Sequence, residues 1–467
     1  MNNVNRLIYP GFWFGKTDKK DALEMARRGA GGFCIYGGTR EGVRDLIAAL
    51  RAASPLKKLF ICADYEDGLG RWISGEKWVL SNLAVGASGQ EEIAYQKGLT
   101  LAREAKKMDV DWVFAPVLDL CDEPNNPIVN TRSFGADPQT VARLGAALCR
   151  GLKDGGVLNS LKHFPGHGKT TQDSHLGLPV LNRTQKDLEN HELIPFRAVL
   201  PYADSVMIGH LLLPDLDPHH PASLSRPVIT ELLQNEMGYR GLVFTDALCM
   251  KAIGDEKEAA LAALDAGAHI LLAAENSIAL SDFLQTQSIP PEKIARSCAL
   301  QDALSKQLEK TPQIGMAAQE FNTRYAADCT VQTGQIPVLT PGQTVAYLEL
   351  SNEETFVAQP FLNTLKSAGL QMIGPAEQAD TLIAVSFSNY KAFKGHINLS
   401  EEEKQKLARA AEQHEQSVFV SFGSPFGSDE IRELTGRLFL FSPADEAQIC
   451  AADILLGKTK AKGVLPV

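Results

Sequence analysis

Eight short apolar runs, each bounded by glycine, proline or a charged residue, recur through the first 275 residues of this 467-residue chain. They occupy residues 11–14, 32–36, 59–64, 112–118, 160–164, 205–210, 242–246 and 269–273. Runs this short and continuous suit strands buried on both faces. Segments at 91–107, 140–153, 186–199, 230–237, 257–266 and 291–308 space Ala, Leu and charge as helices do. Strand and helix therefore alternate, and eight such units predict an α/β fold, a (β/α)8 TIM-type barrel over residues 1–312. Residues 313–341, rich in Gln, Thr, Pro and Gly, are expected to connect it to a second unit. Over 342–467 the alternation restarts, which predicts a smaller open α/β sandwich domain.

In a parallel barrel the chemistry sits where strands end. Asp64 and Glu66 close the third run, Asp119 the fourth, Lys162 and His163 the fifth, His210 the sixth and Asp246 the seventh. Charged residues also punctuate strands for purely structural reasons, but five successive polar endings point to a site. A formal net charge of −10 and the lack of a basic cluster exclude a nucleic-acid partner from the expectations. The eight cysteines show neither a C-x-x-C pair nor metal-ligand spacing, so they read as buried thiols in a reducing compartment. The N-terminus lacks the pattern of a secretory signal, and no stretch has the length of a membrane span. A soluble, cytoplasmic protein is expected, secreted only if a signal peptide has been removed.

The stretch K-H-F-P-G-H-G-K-T-T-Q-D-S-H, residues 162–175, admits several chemistries. A phosphate loop needs glycine five residues before Gly168, where His163 stands, and a helix after Thr170, where a polar loop follows. His163 and His167 have the spacing of paired zinc ligands on a helix, but Pro165, Gly166 and Gly168 forbid that helix; no metal and no cofactor is expected. Asp173 and His175 are spaced for contact in an extended loop, which suits either a proton-transfer pair or a plain surface contact. Asp246, ending an apolar strand in V-F-T-D-A-L, reads either as a nucleophile or as a helix N-cap. Lys162, Arg71 and Arg132 lie near strand ends or in the loops beyond, as sugar-hydroxyl donors or as salt-bridge partners. His219 and His220 sit in a proline-rich loop and are expected at the surface.

Taken together, these segments resemble glycoside hydrolase family three, in particular its β-N-acetylglucosaminidase branch. The resemblance rests on A-D-Y-E-D-G near residue 63, F-A-P-V-L-D-L from Phe114, N-T-R-S-F-G from Asn130, K-H-F-P-G-H-G with D-S-H and L-G-L-P, and V-F-T-D-A-L-C-M-K-A-I. They occur in the family's order and cover residues 1–310. The resemblance implies a retaining exo-β-N-acetylglucosaminidase acting on cell-wall-derived glycans, in peptidoglycan recycling. It implies Asp246 as nucleophile, His175 as general acid and base oriented by Asp173, and Asp64, Arg71, Arg132, Lys162 and His163, with His210, around the sugar. A histidine acid departs from the usual pair of carboxyl groups and lets an anion approach, so phosphorolysis is an alternative to hydrolysis. The same segments also fit a family-three β-glucosidase or a non-catalytic carbohydrate-binding relative. Glu66-Asp67-Gly68 replaces the family's E-G-G and stands one residue closer to Arg71, and Lys169 replaces a commonly acidic residue. The second domain resembles the family's α/β sandwich through G-S-P-F at 423–426.

Overall fold

The first expected run forms β2 (Gly11–Trp13), and ahead of it lies an unexpected strand, β1 (Ile8–Tyr9), cut off by Pro10, which has no amide hydrogen for a ladder. The remaining barrel strands are β3 (Gly32–Tyr36), β4 (Phe60–Ala63), β5 (Trp112–Val113), β6 (Leu158–Phe164), β7 (Ser205–Ile208), β8 (Leu242–Ala247) and β9 (Ile270–Leu272). Because β1 pairs with β9 and β2 with β3, the interrupted segment closes the sheet into a parallel barrel. The structure is a computed structural model and describes residues 3–172, 177–350, 356–390 and 397–467.

The barrel interior is a packed core. Phe244 sits at its centre, edge-on to Tyr9, Trp112 and Phe114 with ring centroids 5.1–5.4 Å apart. The helix Pro291–Gln307 closes the N-terminal end: Leu304 joins the interior cluster, and the Tyr9 hydroxyl donates to Gln301 Oε1 at 3.2 Å. Three expectations are corrected in detail. Of the run 112–118 only Trp112–Val113 pairs continuously, because Pro116 cannot donate, and Val117 rejoins the sheet as a single bridge to Lys162. The helix expected over 186–199 breaks at His191 into Gln185–Asn190 and Leu193–Val199. The helix expected over 230–237 starts at Pro227 and is wider than an α-helix, with Met237 N–H reaching back five residues to the Leu232 carbonyl.

Residues 313–341, expected as a connection, carry a helix, Ala318–Tyr325, and a strand, β10 (Val331–Gly334). That strand runs antiparallel at the edge of a second sheet, whose other members are β11 (Thr344–Leu350), β12 (Gln371–Ile373), β13 (Thr381–Ser386), β14 (Gln416–Ser421) and β15 (Gly436–Phe439). The order is β10-β15-β14-β13-β11-β12, and every pair except β10 with β15 is parallel. Alternate side chains serve opposite faces. Ile383, Val385, Val418 and Val420 pack with Phe361 and Phe422, whereas Leu382, Ala384 and Phe419 pack with Leu407 and Ala411. The first of these layers is continuous with the apolar layer around the barrel, so the two domains share a core.

Candidate active site

All barrel strands run the same way, and their C-terminal ends therefore bring distant residues to one rim. Asp64 follows β4, Lys162 and His163 lie at the end of β6, His210 follows β7, and Asp246 is the penultimate residue of β8. Lys162 is buried, and its Nζ donates to Asp64 Oδ1 at 2.6 Å and lies 3.6 Å from Glu66 Oε2. From the loop after β5, Arg132 Nε donates to Glu66 Oε1 at 2.9 Å. Burial alone pushes the Glu66 carboxyl up, but the charges of Lys162, Arg132 and Arg71 outweigh it and hold Glu66 well below the usual carboxylate range. Glu66 is thus a buried anion that keeps cations in register around it.

A second layer supports this cluster. Lys97, fully buried, donates to Asn82 Oδ1 at 2.6 Å and lies 3.6 Å from Asp67 Oδ1. Asn82 in turn donates its side-chain amide to the Arg132 carbonyl at 2.7 Å, fixing the backbone that carries the guanidinium. Burial pushes the Lys97 ammonium down to about 8, against the pull of Asp67 and Glu66.

Asp119 organises the loop after β6. It accepts the backbone N–H of His163 at 3.2 Å and of His167 at 2.7 Å, and it lies 2.7 Å from His163 Nδ1. Burial pushes its carboxyl up, yet the charge and hydrogen bond of His163 bring it below its ordinary value. An ionised Asp119 only accepts, so His163 Nδ1 carries the proton, and among the described residues Nε2 has no protein partner. His167 turns Nδ1 to Thr170 Oγ1 at 2.9 Å, and burial pushes its imidazole down, which keeps it neutral. The two imidazoles thus serve different partners rather than one metal, and among the described residues no group of three His, Cys, Asp or Glu is placed to hold one. Gly168 is required where it stands, since a Cβ there would collide with the Leu120 carbonyl. Lys169 donates to the Asp122 carbonyl at 2.8 Å and so ties this loop to the one after β5.

Asp246 lies within β8, so the helix-cap reading fails; its Oδ1 accepts the N–H of Ala247 at 2.7 Å, and the side chain is half-buried at the rim. The backbone beyond it is fixed by His210, whose Nε2 lies 3.0 Å from the Ala247 carbonyl and whose Nδ1 lies 2.6 Å from Ser223 Oγ. A carbonyl only accepts, so Nε2 holds the proton and Nδ1 accepts from the serine hydroxyl. His210 was expected among the sugar-contacting residues. Both of its nitrogens are instead spent on protein groups and the ring is buried, because the turn after β8 needs a donor for the Ala247 carbonyl.

The structure therefore brings Asp64, Arg71, Arg132 and Lys162 into one cluster, with His163 beside it through Asp119. Asp173 and His175 lie outside the described residues. Sequence reasoning noted Glu66 and Asp119 only as strand endings and missed Tyr390 of the second domain. Its hydroxyl donates to Glu66 Oε1 at 3.4 Å, and its ring lies 3.6 Å from the Arg71 guanidinium carbon. No local pattern marks that tyrosine, whose partners Glu66, Arg71 and Arg132 all lie in the distant barrel. His219 and His220 stay at the surface, their backbone N–H groups donated to Asp217.

Among known proteins, the family model described as the glycosyl hydrolase family 3 N terminal domain matches residues 4–299. The chain is 26% identical to "Beta-hexosaminidase A" of Pseudoalteromonas piscicida over 95% of its own length and 90% of that protein. It is 34% identical to "Beta-hexosaminidase" of Tolumonas auensis over 57% of its length and 82% of that protein. Its fold superposes with a TM-score of 0.87 on a glycoside hydrolase family 3 beta-N-acetylglucosaminidase from Paenibacillus sp. str. FPU-7, at 27% identity, covering 100% of this chain and 98% of that one.

Proposed function

The chain belongs to glycosyl hydrolase family 3 and is a glycoside hydrolase, and on that premise we propose that it is a retaining exo-β-N-acetylglucosaminidase. Asp246 is the nucleophile, attacking the anomeric carbon to form a covalent glycosyl-enzyme that water then releases. The observation that carries this reading is the pairing of a half-buried carboxylate on β8 with the cluster of Lys162, Asp64, Arg132 and Arg71 at the same rim. Asp246 has the Ala247 N–H on one oxygen and a backbone pinned by His210, which orients it. Asp64 has one oxygen on Lys162, and its other oxygen accepts from a sugar hydroxyl, while Arg132, Lys162 and His163 hold the remaining ring substituents. Proton transfer to and from the glycosidic oxygen is assigned by family resemblance to His175, oriented by Asp173. The names of the relatives support an N-acetylhexosaminide as substrate, and the resemblance extends this to cell-wall-derived glycans.

The test compares a chromogenic N-acetylglucosaminide with the matching glucoside and treats the enzyme with an activated fluoro-sugar analogue. Preferred cleavage of the N-acetylglucosaminide and a mass label on the peptide containing Asp246 are expected. Preference for the glucoside refutes the substrate, and a label elsewhere refutes the nucleophile. Product analysis in phosphate buffer is expected to give free sugar; sugar 1-phosphate establishes phosphorolysis instead.

A further inference from the structure

We propose that the second domain completes the sugar site through Tyr390, a positioning residue whose ring holds Arg71 as an open hydrogen-bond donor to the bound sugar. Arg71 and Arg132 lie side by side but are held differently. Arg132 spends Nε on Glu66 and turns Nη1 to the Ile128 carbonyl. Arg71 makes no hydrogen bond and no ion pair with protein groups among the described residues. What it meets is three aromatic faces, Tyr390 at 3.6 Å, Trp72 at 5.6 Å and Trp78 at 6.0 Å from its guanidinium carbon; Arg132 also lies over the Tyr390 ring, at 4.9 Å, but its carboxylate and carbonyl partners hold it without that ring. A guanidinium lying on a ring is attracted through its face, and its N–H groups all point outward in the plane. Stacking therefore fixes the group while leaving its donors for a ligand. Arg71 is half-buried at the rim beside Asp64, to whose carbonyl Trp72 Nε1 donates at 2.7 Å.

The second domain is built to hold Tyr390 there. The tyrosine is almost fully buried, and its hydroxyl donates to Glu66, the anion that also holds Arg132. Its loop is backed by the turn containing G-S-P-F, residues 423–426. Ser424 N–H donates to the Ser388 carbonyl at 2.7 Å, and a Cβ at Gly423 would collide with that carbonyl, so only glycine lets the two segments meet. The same Ser424 docks on the barrel: its Oγ accepts from Asn130 Nδ2 at 3.0 Å, two residues before Arg132, and donates to Asn398 Oδ1 at 2.8 Å. One turn thus sets Tyr390 and the segment carrying Arg132 against each other.

This inference rests on the assignment of Arg71 to the sugar site. The experiment measures KM and kcat on the chromogenic N-acetylglucosaminide for Tyr390→Phe, Tyr390→Leu, Arg71→Met and the double variant Tyr390→Leu/Arg71→Met. Phenylalanine keeps the face on Arg71, so its KM is expected within about threefold of wild type; leucine fills the space without a π-face and is expected to raise KM about tenfold or more, with less effect on kcat. If Tyr390 acts through Arg71, the double variant is no worse than Arg71→Met alone. Unchanged KM in Tyr390→Leu, or losses that multiply in the double variant, overturn the proposal. Should Tyr390→Leu not fold, Arg71→Met still decides, since an unaltered KM there removes the donor the proposal needs. If the wild type cleaves only another glycoside, the substrate reading fails, and the same KM series on that glycoside still decides the role of Tyr390.

Discussion

At the N-terminal end of the barrel, Asp204 accepts the backbone N–H of Asn159 at 3.0 Å, and Asn159 Oδ1 accepts that of Asp204 at 3.1 Å. At the C-terminal end, Asp64 and Glu66 share Lys162, and Glu66 also takes Arg132. Asp204 and Glu66 are both buried, but their carboxyls move in opposite directions. Burial pushes Asp204 up to about 6 because only a backbone dipole and distant Lys153 oppose it, whereas three cations carry Glu66 the other way. His269, also at the N-terminal end, shows the same logic: burial pushes it down to about 3, and its Nδ1 accepts from Val243 N–H at 3.1 Å. Burial supplies the energy scale in each case, and the neighbours decide whether the charged form of the group is penalised or favoured. One end of the barrel is sealed by matched backbone pairs; the other keeps charged groups with donors and acceptors left over.

The sharpest way to break this contrast is to remove charge from the rim. Asp246→Ala is expected to lower kcat on the order of 10⁴-fold or more, far beyond any loss of stability, with melting curves run beside the kinetics. A residual rate within tenfold of wild type sinks the nucleophile assignment. Lys162→Met is expected to act on both properties. It leaves Glu66 and Asp64 without their shared cation in a buried setting, at a cost of about 3–5 kcal/mol in denaturant unfolding, and KM rises as well. A variant as stable as wild type shows that solvent, not Lys162, balances the carboxylates.

At the N-terminal end the opposite sign is expected. The folded protein holds the Asp204 carboxyl at about 6, above its ordinary 3.8, so above pH 6 the native state carries a penalty for ionising it. That penalty shrinks as pH falls through 6 and is gone below about 4. Asp204→Asn keeps an acceptor for Asn159 N–H and removes the charge, so it is expected to stabilise by about 1–2 kcal/mol at pH 7 and by almost nothing at about pH 3, below the unfolded value. A destabilised variant at pH 7 shows that the charge itself contributes to the fold.

The same contrast explains what the amino-acid sequence made legible. The strands stood out because each is an apolar run cut by a turn residue, and the rim residues because each ends such a run. The closure of the barrel was less visible: β1 is two residues long and separated from β2 by Pro10, so nothing in its pattern distinguishes it from a loop. Glu66 and Asp119 were visible as charges but not as hubs, since a hub is defined by partners that chain order does not reveal. His210 misled for the converse reason, its strand-end position being that of a ligand group while its hydrogen bonds are those of a scaffold. Tyr390 gave no signal, because its meaning comes from a domain contact, and an aromatic residue after a strand is ordinarily core.

Lys169 offers the smallest and most local test of how the rim loops are held. Its ammonium donates to the Asp122 carbonyl at 2.8 Å and stands 3.8 Å from Asp122 Oδ2, with 39% of the lysine side chain exposed. An exposed pair of this kind is worth about 0–1 kcal/mol. Lys169→Ala should therefore change kcat/KM by no more than about threefold. Lys169→Asp, which restores the acidic residue common in the family, places a carboxylate beside Asp122 and is expected to do more harm than alanine. That excess should shrink in high salt, because screening weakens repulsion between exposed charges. If the aspartate variant matches or exceeds wild type at every ionic strength, the tether to Asp122 contributes nothing and the loop is positioned by Asp119 and Gly168 alone.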